Sequence, residues 1–509
     1  MPASPHTGFQ TNNASRVWSR RLLRLWVAIF IAALALHILT LRSFPLIRAV
    51  DEPGLLAMAY VYPQTHRIET PIFWGQVLTH PREPRAYLLM IGWLQLLGVN
   101  WVTGRILFLF VALGALAAIY ALGRRLYGKV GGLYAAAFAS LMLIFFMTGH
   151  QIRLDIAFAL AVTLVLLVYG EADRRNDPRW HFLVGFLLIF SYEAHANALV
   201  LIFAFGVYYL LRYGLNMLRR RSFAPWAVIL GGIVGVGVFA LIHIAPSLDD
   251  FRQSFNFTLG ERGIPIMDML SGRFEGSLGD TFLAGLGMYW QDAPFEVILS
   301  ILLLVGGAIH PKTRWLAALY ALMTVGGILL LGVYRPVYFV NSAPLIALIA
   351  AGLLATPQAW IPALAQRGLA TLVLAALAVS TLAQVVPTAL EDCNNQIVAQ
   401  NEQLQAEIPP GATVITSPLA LFGLGFDRNV LDIGLAIGLA SRSSWDEVLR
   451  QTQPDYVVYY VDEKPRTHSA EYGGPGITAA LPVEALETGR TRLEGITSTI
   501  EVVRLAPVP

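Results

Sequence analysis

Cysteine and lysine are nearly absent from this chain of 509 residues. Cys393 is the single cysteine, which excludes an intrachain disulfide and a cysteine-based metal site. Only Lys129, Lys312 and Lys464 are lysines, so the basic residues are almost all arginine. Charged residues make up 14% of the chain, against about 25% in a typical soluble domain. Together with 56% hydrophobic residues, this composition indicates a polytopic membrane protein.

The net charge of +3 is small, and we expect no nucleic-acid partner. The first apolar run is long enough to cross a lipid bilayer, and no small-residue cleavage site clearly follows it. We therefore interpret it as a retained first helix rather than a cleaved signal peptide.

Long apolar runs predict about eleven transmembrane helices, since one crossing needs about 20 apolar residues. The predicted spans are 22–41, 101–121, 130–148, 155–170, 180–193, 196–212, 225–246, 294–309, 315–333, 337–355 and 368–386.

Basic residues cluster beside alternate helix ends, which predicts the orientation in the membrane. The clusters are Arg16 to Arg24, Arg124 to Lys129, Arg174 to Arg179, Arg219 to Arg221, Lys312 with Arg314, and Arg367. All of them fall on one side if the N-terminus is cytoplasmic. An odd number of helices then places the C-terminal region outside the membrane.

Two long loops and a polar C-terminal region interrupt the helical pattern. The loops at about 42–100 and 247–292 face outward in this topology, and the first contains a short apolar stretch, 87–99, typical of an interfacial helix. Residues 1–387 thus form the predicted transmembrane domain. Residues 388–509 alternate helix and strand patterns, which predicts a small extracytoplasmic α/β domain.

The adjacent carboxylates of Asp51 and Glu52 follow the first helix closely. Two acids at a membrane surface suit a catalytic base. They equally suit a helix start, because Asp is a good N-cap and Pro53 favours a first helical turn.

A second polar group, Arg153 with Asp155, lies at the same predicted membrane level. Asp155 begins a predicted span, so it could also be an N-cap. Ionisable residues at this depth are candidates for function. Glu193 and His195 occupy the turn between the fifth and sixth spans, again on the outer side, where a binding role and a solvated loop are equally plausible.

Arginines in the outer loops depart from the positive-inside pattern and suit an anionic substrate, because guanidinium matches phosphate with a planar fork of donors. Arg335 with Tyr338 at the mouth of a helix could hold a phosphate, or could anchor that helix at the interface. Arg82 and His80 are further candidates in the first loop. Ordinary salt bridging explains any single arginine equally simply.

In order and topology, these features resemble the GT-C glycosyltransferases that use polyprenyl-phosphate sugars, including protein mannosyltransferases and lipid A aminoarabinose transferases. The resemblance covers about residues 22–355. The motifs that carry it are Asp51-Glu52, His80-Pro81-Arg82-Glu83-Pro84, Leu97-Gly98, Arg105, Gly123-Arg124-Arg125-Leu126-Tyr127-Gly128, Arg153-Leu154-Asp155 and the stretch 338–344.

The resemblance implies a fold of membrane helices and an inverting sugar transfer to an extracytoplasmic glycan, lipid or protein. It assigns the catalytic base to Asp51, with Glu52 as the alternative, and a supporting role to Asp155 with Arg153. Where many relatives carry a lysine near the fifth–sixth helix turn, this chain has Glu193, His195 and Asn197. A divalent metal could assist, but no His/Asp/Glu spacing forms a strong metal signature.

Two other functions remain open at this stage. A lipid-linked glycan polymerase or ligase would lack the early acidic pair as base and depend on one large outer loop. A flippase or transporter should show two similar halves with broken helices and charges near the midplane. The sequence has no internal repeat, and its charges cluster at one face, which favours the enzyme.

Overall fold

A computed structural model describes residues 13–43, 51–70, 78–79, 86–218, 223–246, 248–249, 251–252, 279–331, 335–356, 362–390, 393–417, 420–432, 444–461, 486–494 and 499–507. Helices dominate this part of the chain. Up to the end of the membrane region they are α1 (Asn13–Leu39), α2 (Asp51–Thr65), α3 (Ala86–Leu97), α4 (Trp101–Leu141), α5 (Leu143–Gly149), α6 (Asp155–Arg175), α7 (Pro178–Phe190), α8 (Ala198–Leu218), α9 (Ala227–Phe239), α10 (Asp280–Asp292), α11 (Pro294–Ile309), α12 (Arg314–Leu330), α13 (Ala343–Ala350) and α14 (Ala363–Leu390).

Short elements join several of these helices. Two-residue strands β1 (Glu69–Thr70) and β2 (Leu78–Thr79) pair in the first loop. The 3-10 segments are Ser191–Glu193, Ala224–Trp226 and Pro336–Ser342, and π-helical turns extend α9 over Ala240–Ile244 and α13 over Ala351–Ala355.

Six helices among the described residues are long and apolar enough to cross a membrane, or seven if α10 and α11, bent by 119°, are counted as one span. Every predicted span coincides with a helix or part of one, although several are shorter than the usual crossing length. The chain is therefore a multi-pass membrane protein, as its composition predicted.

Helix α4 reverses direction at Gly128, whose φ of 80° lies in the left-handed region. A Cβ placed on Gly123 would lie 3.0 Å from the Cα of Gly132. In one straight helix those two residues would be about 13 Å apart along the axis. The element consequently contains two packed helices, which correspond to the spans predicted at 101–121 and from 130 onward.

The predicted span 130–148 is divided at Met142, which has an extended backbone conformation and separates α4 from α5. Helices α7 and α9 also approach closely, because a Cβ on Gly185 or Gly231 would clash with the backbone of the opposite helix. Small residues at such crossings are typical of membrane helix pairs.

The C-terminal region folds around a mixed five-stranded sheet. Its elements are α15 (Cys393–Glu402), α16 (Leu404–Glu407), β3 (Thr413–Thr416), α17 (Leu421–Leu424), β4 (Asn429–Asp432), α18 (Trp445–Thr452), β5 (Tyr456–Val461), β6 (Glu487–Glu494) and β7 (Thr499–Leu505). The strand order is β4-β3-β5-β7-β6. Strands β4, β3 and β5 run parallel, and β7 is antiparallel to both of its neighbours, β5 and β6. The α/β character confirms the sequence-based prediction; β6 was not foreseen as a separate strand.

Candidate active site

Glu52 and Arg105 form a fully buried ion pair between α2 and the first turns of α4. Arg105 donates from Nε to Glu52 Oε1 and from Nη2 to Oε2, each at 3.0 Å, and both side chains are 0% exposed. Arg105 Nη1 also donates to the Leu41 carbonyl at 3.2 Å, beyond the end of α1. A bidentate pair of this kind fixes geometry as well as charge, so it holds three segments of the chain together.

Glu52 also reaches the loop between α5 and α6. The backbone amide of Ile152 donates to Glu52 Oε1 at 3.0 Å. Arg153, the next residue, contacts Asp155, the first residue of α6. Glu52 and the second acidic site therefore belong to one connected network.

Asp155 is the centre of a buried cluster. Arg153 Nε donates to Asp155 Oδ2 at 3.0 Å, and His195 Nε2 lies 3.6 Å from Asp155 Oδ1. The His195 ring stands edge-on to Tyr338, with centroids 6.0 Å apart. Four predicted site residues from three separate segments of the chain thus meet at the N-terminus of α6.

The local backbone determines which nitrogen of His195 faces Asp155. The Asn197 amide donates to His195 Nδ1 at 3.0 Å, so Nδ1 accepts and the proton of a neutral ring resides on Nε2. That nitrogen points toward Asp155, with which it can form an ion pair once the ring is protonated. Asp155 itself is not an N-cap as considered from sequence, because Leu154 occupies that position.

The other predicted residues have separate surroundings. Glu193 Oε1 contacts His243 Nε2 at 2.5 Å, at the π-helical end of α9. Arg335 immediately precedes the 3-10 segment that carries Tyr338, and its side chain is partly exposed. Asp51 is the first residue of α2, so the helix begins at the acidic pair and continues to Thr65. His80 and Arg82 lie outside the described residues.

Sequence reasoning missed the buried carboxylate of Glu296, near the start of α11. It accepts hydrogen bonds from the amide of Leu143, at the start of α5, and from the Tyr289 hydroxyl at 2.6 Å. The Tyr289 ring stacks on Phe339, with centroids 4.9 Å apart, next to Tyr338. The signal was available, because an acid three residues into an apolar span is unusual.

No three His, Cys, Asp or Glu side chains in the described part of the chain are grouped so that they could hold a metal ion. The Asp155 carboxylate contacts an arginine and a histidine instead. Chemically, this end of the bundle combines fixed carboxylates with cationic side chains at the boundary between apolar helices and the C-terminal region. Such a surface can position a hydroxyl near a base and an anion near arginine.

The sequence model of the dolichyl-phosphate-mannose-protein mannosyltransferase family matches residues 79–243, which include Arg105, Ile152, Asp155 and His195. No curated protein matches the chain. ArnT from Cupriavidus metallidurans bound to undecaprenyl phosphate is similar in structure, with a TM-score of 0.56, 14% identity, and coverage of 94% of this chain and 98% of ArnT. ArnT in the apo state matches with a TM-score of 0.53, 14% identity, and coverage of 94% and 97%. The family match over residues 79–243 and the fold shared with ArnT together make the chain similar to the GT-C membrane glycosyltransferases.

Proposed function

We propose that this protein transfers a sugar from a polyprenyl-phosphate donor to a hydroxyl of an extracytoplasmic glycan, lipid or protein, with inversion at the anomeric carbon and Asp51 as the base. The observation that carries the proposal is the connection from Glu52 through the Ile152 amide to Arg153, Asp155 and His195. That connection supports a base at the start of α2, because it links Glu52, the neighbour of Asp51, to the cationic side chain of Arg153.

In the proposed reaction, the Asp51 carboxylate takes the proton of the acceptor hydroxyl. The acceptor oxygen attacks the anomeric carbon, and the bond from that carbon to the phosphate oxygen breaks. Polyprenyl phosphate leaves with the bonding electrons and needs no proton, so one carboxylate suffices.

Glu52 has a different role from its neighbour in this proposal. Its two oxygens are occupied by Arg105 and the Ile152 amide, so we assign it to holding Asp51 and the Arg153 loop in register. Asp155 orients Arg153, whose positive charge offsets the charge of the leaving phosphate, and lies beside His195 Nε2. Arg335 and Tyr338 extend this region along the 3-10 segment before α13, which fits donor binding.

The fold supports a lipid donor as well. The helices expose large apolar side chains such as Leu89, Leu96 and Phe110, which suit contact with lipid tails. ArnT, which shares the fold, has been solved with undecaprenyl phosphate bound. A prenyl tail lying between helices would place its phosphate at the level of the site.

Radiolabelled sugar transfer tests the function directly. The full-length protein in nanodiscs is supplied with a panel of polyprenyl-phosphate sugars and a membrane extract as acceptor source. We expect one donor to be used, with an inverted anomeric configuration in the product. Asp51→Asn should abolish transfer while donor binding persists, because the amide cannot accept the proton at neutral pH.

Asp446→Asn is the matched control, since Asp446 is an exposed acid in α18 of the C-terminal domain. It should transfer at the wild-type rate. Full activity in Asp51→Asn would refute the assignment of the base, and retained configuration would refute the single-displacement mechanism.

The proposed orientation has the N-terminus in the cytoplasm and the C-terminal domain outside. It is tested by fusing a reporter that is active on only one side of the membrane after Pro509. Reporter activity characteristic of the cytoplasm would refute the proposed orientation. The Asp155 cluster would then lie on the cytoplasmic side, away from an extracytoplasmic acceptor.

A further inference from the structure

Two adjoining cavities lie where the first-loop helices α2 and α3 meet the C-terminal domain, away from the Asp155 cluster. Their volumes are 670 and 380 Å³, within the range of about 300–1,000 Å³ that is usual for small-ligand sites. Tyr60 from α2 and residues Phe426, Asp427 and Arg428 from the C-terminal domain line both cavities. The two cavities thus form a single groove, divided by these side chains.

Two aromatic rings and several side-chain amides line the groove beside aliphatic residues and glycines. Tyr60 and Phe426 have ring centroids 5.8 Å apart with an interplanar angle of 32°. Gln64, Gln95 and Gln405 contribute exposed side chains around them; the amide nitrogens of Gln95 and Gln405 also donate to the Ala59 and Gly423 carbonyls, and their amide oxygens remain as acceptors. Aromatic faces carry negative partial charge and attract the C–H faces of sugar rings, while amides both donate to and accept from hydroxyls.

The charge of the groove disfavours an anionic ligand. Arg428 is its cationic residue, and its guanidinium donates to the carbonyls of Ile408 and Leu424 and to Asp427 Oδ1, with only 7% of the side chain exposed. Asp427, by contrast, is 42% exposed. A phosphate or carboxylate would therefore meet an exposed acid and an arginine already occupied by other acceptors.

The loop that supplies Phe426, Asp427 and Arg428 is rigid. Gly423 and Gly425 have φ values of 127° and 93°, and a Cβ on Gly423 would lie 2.5 Å from the Val398 carbonyl oxygen. Asn401 donates to the Phe422 carbonyl at 3.1 Å and accepts from the Tyr460 hydroxyl at 3.0 Å. A loop fixed in this way loses little conformational entropy when a ligand binds.

The groove also has a defined position relative to the proposed base. Tyr60 lies nine residues after Asp51 on the same helix, which corresponds to about 13 Å along the axis. An acceptor bound at Tyr60 and Phe426 would need to extend only a few sugar units to present a hydroxyl at Asp51.

We propose that the groove between Tyr60 and Phe426 binds neutral or amino-substituted sugar rings of the acceptor, without phosphate or carboxylate on the bound rings. The identification of the bound sugar as part of the acceptor rests on the proposed function. The binding of sugar at the groove is a separate property that can be measured without turnover.

Saturation-transfer difference NMR on the full-length protein in nanodiscs tests the proposal. The probes are α-mannobiose, glucosamine and mannose 6-phosphate. We expect transfer signals from the first two and none from the third. Phe426→Ala and Tyr60→Ala should each lower the signals about tenfold, because each removes one aromatic face.

Gln405→Ala and Gln451→Ala form a matched pair, since both residues are exposed glutamines of the C-terminal region and only Gln405 lines the groove. Gln405→Ala should weaken sugar binding, and Gln451→Ala should not. Asp427→Asn, which leaves the rings in place, should admit mannose 6-phosphate. That variant keeps the test decisive if an aromatic replacement disturbs folding.

Absence of sugar binding to the wild type, unchanged binding in Tyr60→Ala and Phe426→Ala, or preference for the phosphorylated sugar would each overturn the proposal. So would binding of an extended peptide in place of the sugars. Asp51→Asn should bind sugar as the wild type does. If sugars bind at the groove but no polyprenyl-phosphate sugar is used as a donor, the proposed function is refuted and the proposed sugar site is supported. If sugar is transferred but no sugar binds at the groove, the proposed function is supported and the sugar site is refuted.

Discussion

The two ends of α6 hold ion pairs of opposite character. At the Asp155 end, Glu52 and Arg105 are both 0% exposed, and Arg153 and Asp155 are 6% and 2% exposed. At the other end, Glu171 is itself only 6% exposed, but it is paired with arginines whose side chains are largely open to solvent, 62% for Arg174 and 51% for Arg175. The helix between them has 21 residues, about 30 Å, which is close to the thickness of a hydrocarbon core.

The difference separates charges that fix a site from charges that mark a membrane side. A sealed pair has a desolvation cost that only good geometry and further hydrogen bonds offset, so its members cannot move independently. An exposed pair contributes little and is easily replaced. Arginines at the Glu171 end also lie at a helix C-terminus, where the helix dipole and the positive-inside tendency both favour them.

Glu52→Gln should destabilise the protein more than any of the other replacements, because it disrupts the buried ion pair at the Asp155 end of α6. The replacement leaves Arg105 as a buried charge without its carboxylate, at a cost of about 3–5 kcal/mol. We expect a large fall in the unfolding temperature, measured by tryptophan fluorescence in detergent, together with loss of transfer.

The double variant Glu52→Met with Arg105→Met serves as the control for this prediction. It removes both charges and should recover much of the stability. Transfer should remain low, because the Ile152 amide loses its acceptor. If Glu52→Gln kept wild-type stability, the buried pair would contribute no more to stability than an exposed one, and the contrast between the two ends of α6 would be refuted.

Arg153→Ala sharpens the assignment of the phosphate site. Loss of one charge-assisted contact should raise the donor KM by about tenfold, with a smaller effect on the acceptor KM. Arg335→Ala should act in the same direction. Arg450→Ala, an exposed arginine of α18, is the matched control and should change neither constant. An unchanged donor KM in both site variants would remove these arginines from donor binding.

Much of this arrangement could be predicted from sequence, because long apolar runs and arginine clusters are local signals. Asp155 and His195 were assigned to the same membrane side, although no contact between them was predicted, and they lie 3.6 Å apart. The partner of Glu52 could not be derived in this way. Arg105 was noted only as the residue opening a helix, and no periodicity specifies that its guanidinium, 53 positions away in sequence, contacts Glu52.

The placement of Glu193 shows the same limit. Its neighbour His195 turns toward Asp155, whereas Glu193 contacts His243. Glu193 ends the 3-10 segment and His195 lies two residues beyond it, and their side chains diverge, so sharing a loop did not mean sharing a site. The π-helical end of α9, which presents His243, carries no sequence signal comparable with a cap or a glycine.

Tyr289→Phe tests whether a third buried carboxylate also holds the Asp155 end in place. It removes the hydroxyl that donates to Glu296, which should lower stability by about 1–2 kcal/mol. Because Glu296 also binds the start of α5, which leads into the Arg153 loop, kcat should fall more than either KM changes. Tyr120→Phe, near the turn at Gly128 within α4, is the control. A kcat equal to wild type would confine Tyr289 to a packing role.

Arg174→Ala should have the smallest effect on stability and transfer, and a small effect would support the contrast between the two ends of α6. The side chain is 62% exposed, and Glu171 keeps Arg125 and Arg175 as partners, so we expect a stability change of at most about 0.5 kcal/mol and unaltered transfer. Thermal unfolding and the radiolabel assay are the measurements, alongside Glu52→Gln in the same nanodiscs. A loss approaching that of Glu52→Gln would mean that both ends of α6 are equally sealed. Charge at the Glu171 end would then specify structure rather than membrane side, and exposure would no longer distinguish the two kinds of ion pair.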